Sequence, residues 1–383
     1  MQGIAPFRVM QILARAQALE ATGRDIVHLE IGEPDFVTPR PVCDAGMRAM
    51  EHGELFYTPA LGLPQLRQAI AGFYQTRHGV TVAPERIIIT TGSSGALLLT
   101  MAVLLSAGDE VLMADPGYPA NRHFVRLMEG VARGIAVGPE SHYQLTAEMI
   151  ECHWGVRTVA ALVATPSNPT GTLIDLAEIR RMAEAVATHG GALIVDEIYH
   201  GLVYGGEART AAAIEGNVFV INSFSKYFNM TGWRLGWMIA PEPYVRALDR
   251  LAQNVYLCAP AAAQRAALAA FTGETYAICD ARRDEFRARR DYLVPSLREL
   301  GFGIPHTPDG AFYIYADCSR LTRDSESFAL ALLEDAGVAI TPGIDFGEYR
   351  AHEHVRFAYT RPIDRLRESV RRIQDFLQRS QRA

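Results

Sequence analysis

Ala192-Leu193-Ile194-Val195-Asp196-Glu197-Ile198-Tyr199 is an apolar run that ends in two acids and a phenol. Consecutive aliphatic residues of this kind suit a strand buried on both faces, as inner strands of a parallel sheet are. A second apolar run, Val218 to Ile221, leads into Ser223-Phe224-Ser225-Lys226 and a glycine-broken loop that carries Arg234. In parallel sheets, ligand groups gather beyond the carboxyl ends of the strands. Asp196, Tyr199, Ser223 and Lys226 all fall at such ends. One crevice is therefore expected to hold an anion, a phenol, the hydroxyls of Ser223 and Ser225, and an amine.

Outward from these two runs, strand-like and helix-like segments alternate. Arg86–Thr90, Glu110–Ala114 and Val159–Ala164 read as strands, and Gly92 to about Ser106 and Asp175–His189 as helices. This alternation predicts an α/β fold with a mostly parallel, doubly wound sheet. From about Ala261 to Leu300 the pattern becomes one long helical stretch whose many charges suit a solvated face. Beyond it, short strands (Ala311–Tyr315, Val338–Ile340, His354–Ala358) mix with helices Ser325–Ala336 and Ile363–Arg379, an α+β pattern expected of a second, smaller domain.

The 383 residues hold 37 Lys plus Arg, and Lys226 is the only lysine, so the other 36 are arginine. Arginine keeps its proton near neutral pH, whereas a lysine amine can be tuned into a nucleophile or base. A single lysine therefore fits either an arginine-favouring codon bias or a position that needs an amine. A net charge of -6 gives no electrostatic case for nucleic acid or an anionic membrane. Ala96–Leu105 is too short to span a bilayer, and the first eight residues lack a signal-peptide pattern. Five scattered cysteines without a C-x-x-C pair suit a reducing, cytoplasmic setting. No metal site is expected; His352-Glu353-His354 has poor ligand spacing and reads as a solvated turn.

Gly92-Ser93-Ser94-Gly95 lies between a strand and a helix, where free backbone N–H groups favour an anion. A simple N-cap by Ser93 or Ser94 explains the turn equally well. It is neither G-x-G-x-x-G nor a Walker loop. The ordered set Asn168-Pro169-x-Gly171, Asp196-x-x-Tyr199, Ser223-x-Ser225-Lys226 and Arg234 resembles the signature of class I/II aminotransferases. These are pyridoxal-phosphate enzymes of the aspartate-aminotransferase fold. The likeness extends from Gly32-Glu-Pro-Asp35 to Arg356.

The resemblance implies a large cofactor-binding domain over residues 41–284 and a small domain from residues 1–40 and 285–383. It implies that Lys226 carries the cofactor as a Schiff base and shuttles the substrate proton. Asp196 would pair with the pyridine nitrogen, Tyr199 and Asn168 would bond the phenolic oxygen, and Tyr118 would stack on the ring. Gly92, Ser93, Ser94, Ser223, Ser225 and Arg234 would hold the phosphate. Tyr57 resembles a tyrosine that reaches the phosphate of the other subunit, which implies a homodimer. Arg356 would clamp the substrate α-carboxylate, with Gly32 lining the substrate side.

The implied reaction moves the amino group of an L-amino acid to a 2-oxo acid. Asn254–Pro260, where some aspartate-type relatives carry a cation, has none, and Ser94 stands where others place a lysine. Both departures lean toward neutral or apolar amino acids, although Arg122 or His123 could supply a charge. The same fold and lysine also run C–S β-elimination. A more distant alternative is a non-catalytic cofactor-binding sensor.

Overall fold

The computed structural model describes residues 4, 6–206 and 208–380, so part of the N-terminal stretch read for a signal peptide lies outside the described residues. Twelve strands are present among the described residues: β1 Val27–His28, β2 Ile87–Thr90, β3 Glu110–Asp115, β4 Val131–Ala136, β5 Thr158–Ala164, β6 Ala192–Asp196, β7 Val218–Ser223, β8 Gly236–Ile239, β9 Tyr313–Asp317, β10 Val338–Ala339, β11 Thr341–Pro342 and β12 His354–Ala358. Seven of them form one sheet in the order β2-β8-β7-β6-β5-β3-β4. Strands β4, β3, β5, β6 and β7 run parallel, and β8 runs against both of its neighbours.

Period-two alternation sends adjacent aliphatic side chains to opposite faces of this sheet. Ile88, Leu162, Ile194 and Ile221 join one buried cluster, while Ile89, Val163, Val195 and Val220 join the other. Each such side chain contributes about 1.5–3 kcal/mol by leaving water. The edge strand β4 alone is mostly exposed, and its sequence carries arginine and glycine. Strand order reverses between β3 and β5, which opens the crevice where doubly wound sheets bind ligands.

A second sheet, β11-β12-β9, is antiparallel, and β1 pairs in parallel with β10. The N-terminal chain then continues along the second sheet: Ala358 N–H donates to Leu29 O at 2.7 Å, and Thr341 Oγ1 donates to Glu30 O at 3.1 Å. This pairing delivers Gly32 to the crevice. Among the described residues no helix is long and apolar enough to cross a membrane.

Several sequence expectations need correction. The stretch expected as one helix from 261 to 300 is divided into Ala261–Ala267, a 3-10 turn Leu268–Phe271 and Gly273–Glu299. The last begins where the Thr272 hydroxyl accepts from Thr275 N, giving a new N-cap. Its charges are not all solvated: Arg289 is 2% exposed, bonded to Asp35 at 2.8 Å and to Glu285. Strand β9 starts two residues later than expected because Ala311 adopts a left-handed φ of +59°. His352 is on an exposed turn, but His354 opens β12, is buried, and stacks on Tyr315 with ring centroids 4.6 Å apart.

Candidate active site

Lys226 sits in the loop between β7 and β8, and buried side chains hold that loop. Ser223 Oγ donates to Leu235 O at 3.1 Å and accepts the Ser225 N–H at 3.0 Å. Phe224 and Phe228 anchor the loop in the core. The amine projects into a cavity of about 270 Å³ and donates to Gly32 O at 2.7 Å. Burial lowers its pKa to about 8; Arg356 and Arg234 push the same way, while Glu33 and Asp196 oppose them. A useful fraction of free amine is therefore present near neutral pH.

Asp196 ends β6 in the same cavity, with Oδ1 accepting the Ile198 N–H at 3.1 Å. Burial raises its carboxyl to about 6, opposed by that hydrogen bond and by the Lys226 charge. A cation arriving beside such a carboxylate stabilises its charged form. Glu197, its neighbour, is directed elsewhere and accepts from Thr210 Oγ1 and Ala211 N.

In the same cavity, Ser93, Ser94, Ser225 and Arg234 gather about the start of helix Gly92–Leu104. The N-cap is Thr91, and its side chain makes no capping bond. Ser93 and Ser94 therefore lie within the first turn, and the N-cap explanation for them fails. Gly92 has φ +74°, and a Cβ there would stand 2.7 Å from Arg234 Nη2. Gly236 is equally constrained, since its Cβ would meet Gly92 C at 2.6 Å and Ser93 N at 2.7 Å. These glycines let Arg234 and the helix start close into an anion cup.

Arg356, on β12, is 4% exposed. Its Nη1 donates to Asn168 Oδ1 at 2.9 Å, and its Nη2 to Glu30 O and Thr341 Oγ1. The guanidinium lies 4.4 Å from the Tyr313 ring centroid and 4.8 Å from that of Phe346. None of these partners is a carboxylate, and Nε has no partner among the described residues. A buried cation left in this condition is ready for an external carboxylate. Because Asn168 turns its oxygen to Arg356, its Nδ2 donors are left for the cavity.

The cavity thus gathers Gly32, Ser93, Ser94, Tyr118, Asn168, Asp196, Tyr199, Ser225, Lys226, Arg234 and Arg356. Gly92 and Ser223 stand one layer behind, against Arg234 and Ser225. Tyr57 does not line the cavity of its own chain; it and Phe56 are each 83% exposed. Sequence reading missed Tyr313, whose hydroxyl bonds that of Tyr199 at 2.9 Å, and Phe7, Met10, Ile31, Asp345 and Phe346, which also line the cavity. The missed signal for Tyr313 was register: β9 pairs Tyr315 with Arg356, which makes Tyr313 a same-face diagonal neighbour.

An amine and a carboxylate in one cavity, an anion cup and a buried guanidinium without a carboxylate partner match an aldehyde, a ring nitrogen, a phosphate and a substrate carboxylate. The family model for aminotransferase class I and II matches residues 24–373. The chain belongs to this family. It is similar to the valine–pyruvate aminotransferase of Mycobacterium tuberculosis, 43% identical over 98% of this chain and 97% of that protein. It is also similar to a (5-formylfuran-3-yl)methyl phosphate transaminase of Methanocaldococcus jannaschii, 36% identical over 97% and 96% of the two chains. A crystal structure of an aminotransferase from Mycobacterium tuberculosis superposes with a TM-score of 0.95 at 42% identity, covering 99% of this chain and 98% of that one. The protein is accordingly a pyridoxal-phosphate-dependent aminotransferase of the aspartate-aminotransferase fold.

Proposed function

We propose that this aminotransferase acts on L-amino acids with neutral or apolar side chains and on the matching 2-oxo acids. The observation that carries the reading is the cavity lining beyond Arg356: Phe7, Val9, Met10, Ile31 and Phe346 are apolar. The lining cations are Lys226, Arg234 and Arg356, each engaged by the roles below. Arg122 borders a small adjoining cavity instead, and His123 lines neither. The valine–pyruvate relative is in line with this preference. Initial rates with a panel of amino acids and 2-oxo acids test it: valine, leucine and alanine should outrun aspartate and glutamate. Turnover confined to dicarboxylic donors would overturn it.

Pyridoxal phosphate supplies, when bound, an aldehyde for the lysine and a protonated ring that stabilises negative charge at the substrate Cα. Lys226 Nζ would hold the aldehyde end of the cofactor and would serve as the base that moves the substrate Cα proton. Asp196 keeps the ring-nitrogen proton in place, because an anion is what favours the charged ring. Tyr199 and Asn168 would donate to the phenolic oxygen, and Tyr118 would lie against the ring. Ser93, Ser94, Ser225, Arg234 and the helix start bind the phosphate, with Gly92 and Ser223 supporting them. Arg356 binds the α-carboxylate bidentately, with Gly32 beside it.

Two copies assemble as a homodimer in which Tyr57 of each completes the phosphate cup of the other. The exposure of Phe56, Tyr57 and Leu55 supports such a covered surface, and sedimentation of the holoenzyme tests it. The division into residues 41–284 against 1–40 with 285–383 is supported by the β1–β10 pairing, which ties the N-terminal segment to the C-terminal one. Five free thiols support a reducing, cytoplasmic compartment.

A further inference from the structure

Tyr313 is wholly buried in the cavity wall, and its hydroxyl stands 2.9 Å from that of Tyr199, where either oxygen could be the donor. Two phenols carry two protons, and the bond between them uses one. The surroundings decide where the other goes. The Tyr313 oxygen crowds Gly32, where an added Cβ would sit 1.9 Å from it, and its ring lies under the Arg356 guanidinium. An aliphatic carbon and a cation accept no hydrogen bond. Tyr199 lines the same cavity beside Lys226 and Asp196, where an acceptor can be bound.

We propose that Tyr313 is a positioning residue that donates its proton to the Tyr199 oxygen and thereby turns the Tyr199 proton into the cavity. The proposal rests on the reading that Tyr199 donates to the phenolic oxygen of the cofactor. A phenol that itself receives a hydrogen bond is a stronger donor, by about 10–30% per bond. The relay therefore strengthens the hold of Tyr199 on a negatively charged oxygen and keeps the Lys226-linked cofactor in its deprotonated form at lower pH. Strand register explains how the residue comes to be there: Tyr313 faces Ala358, one same-face pair along β12 from the pairing that sets Arg356 beside Tyr315.

The test is a pH titration of the visible absorption band of the holoenzyme for wild type, Tyr313→Phe, Tyr199→Phe and the double variant. Tyr313→Phe keeps the ring beneath Arg356 and removes only the hydroxyl. The relay requires its titration midpoint to rise by roughly 0.5 pH, with KM for the amino acid within about two-fold of wild type. Tyr199→Phe should raise the midpoint further, and adding Tyr313→Phe to it should move nothing more. A midpoint unmoved in Tyr313→Phe but raised in Tyr199→Phe overturns the relay and leaves the role of Tyr199 standing. An unmoved midpoint in Tyr199→Phe overturns both. Equal further movement in the double variant also overturns the relay, because Tyr313 would then act without Tyr199.

Discussion

The two walls of the active cavity are built in opposite ways. The wall proposed for the cofactor comes from the carboxyl ends of β6 and β7 and the start of helix Gly92–Leu104, which follows β2 of the same sheet. Its side chains are polar, and the sheet fixes their backbones. The wall proposed for the substrate is assembled from Phe7, Met10, Ile31 and Phe346, segments more than 300 residues apart at their extremes. A few bonds dock these pieces: Arg8 N–H to Asp345 Oδ1 at 2.7 Å, and Gly117 N–H to Phe346 O at 2.9 Å. The contrast teaches that the chemistry is held rigidly while side-chain selection rests on apolar pieces that can vary without disturbing it.

Substitutions on the cofactor wall should therefore abolish reaction, and those on the substrate wall should redirect it. Lys226→Ala should lower turnover by roughly 10⁴-fold or more and eliminate the cofactor linkage that borohydride traps, as read by intact mass. A retained covalent link would refute the assignment. Asp196→Asn should keep the linkage yet reduce kcat by about 10²–10³-fold, because an amide does not hold the ring proton. Arg356→Lys, at the boundary between the walls, should raise KM for the amino acid by about 10–50-fold through loss of bidentate binding. An unchanged KM would detach Arg356 from the substrate.

Smaller effects sharpen the comparison. With the Lys226 pKa at about 8, only the neutral amine attacks an aldehyde, so association of apoprotein with pyridoxal phosphate should quicken as pH rises. The gain should be about five-fold from pH 7 to 8 and less than two-fold from pH 8 to 9. An unshifted lysine would instead gain roughly ten-fold over each step. Met10→Ala, on the opposite wall, should alter the preference between valine and longer aliphatic donors by about three- to five-fold, with little change in the visible spectrum.

The same contrast governs what could be read in the sequence. Asp196 and Lys226 were legible because a buried strand announces its own end, and whatever follows that end faces the crevice. Arg356 and Gly32 were placed by resemblance. Their meeting depends on β1 joining β10 and on Leu29–Glu30 running beside β12, pairings that no local pattern encodes. Tyr313 reads locally as one more aromatic of an ordinary strand, and its place beside Arg356 follows only from β9–β12 register. Arg289 shows the converse: it sits in a run of charges that looks solvated, yet Asp35 from the N-terminal chain draws it inside. Long-range partners, not composition, settled each of these cases.

The amine that donates to Gly32 also makes the molecule unusually simple to label. Apart from the chain terminus, an acylating reagent finds a single primary amine on the whole molecule, and that amine lies at the bottom of the catalytic cavity. Labelling stoichiometry at mildly alkaline pH, beyond that of the terminus, thus becomes a direct gauge of occupancy: protection counts the sites that are filled, and any internal probe marks one known address.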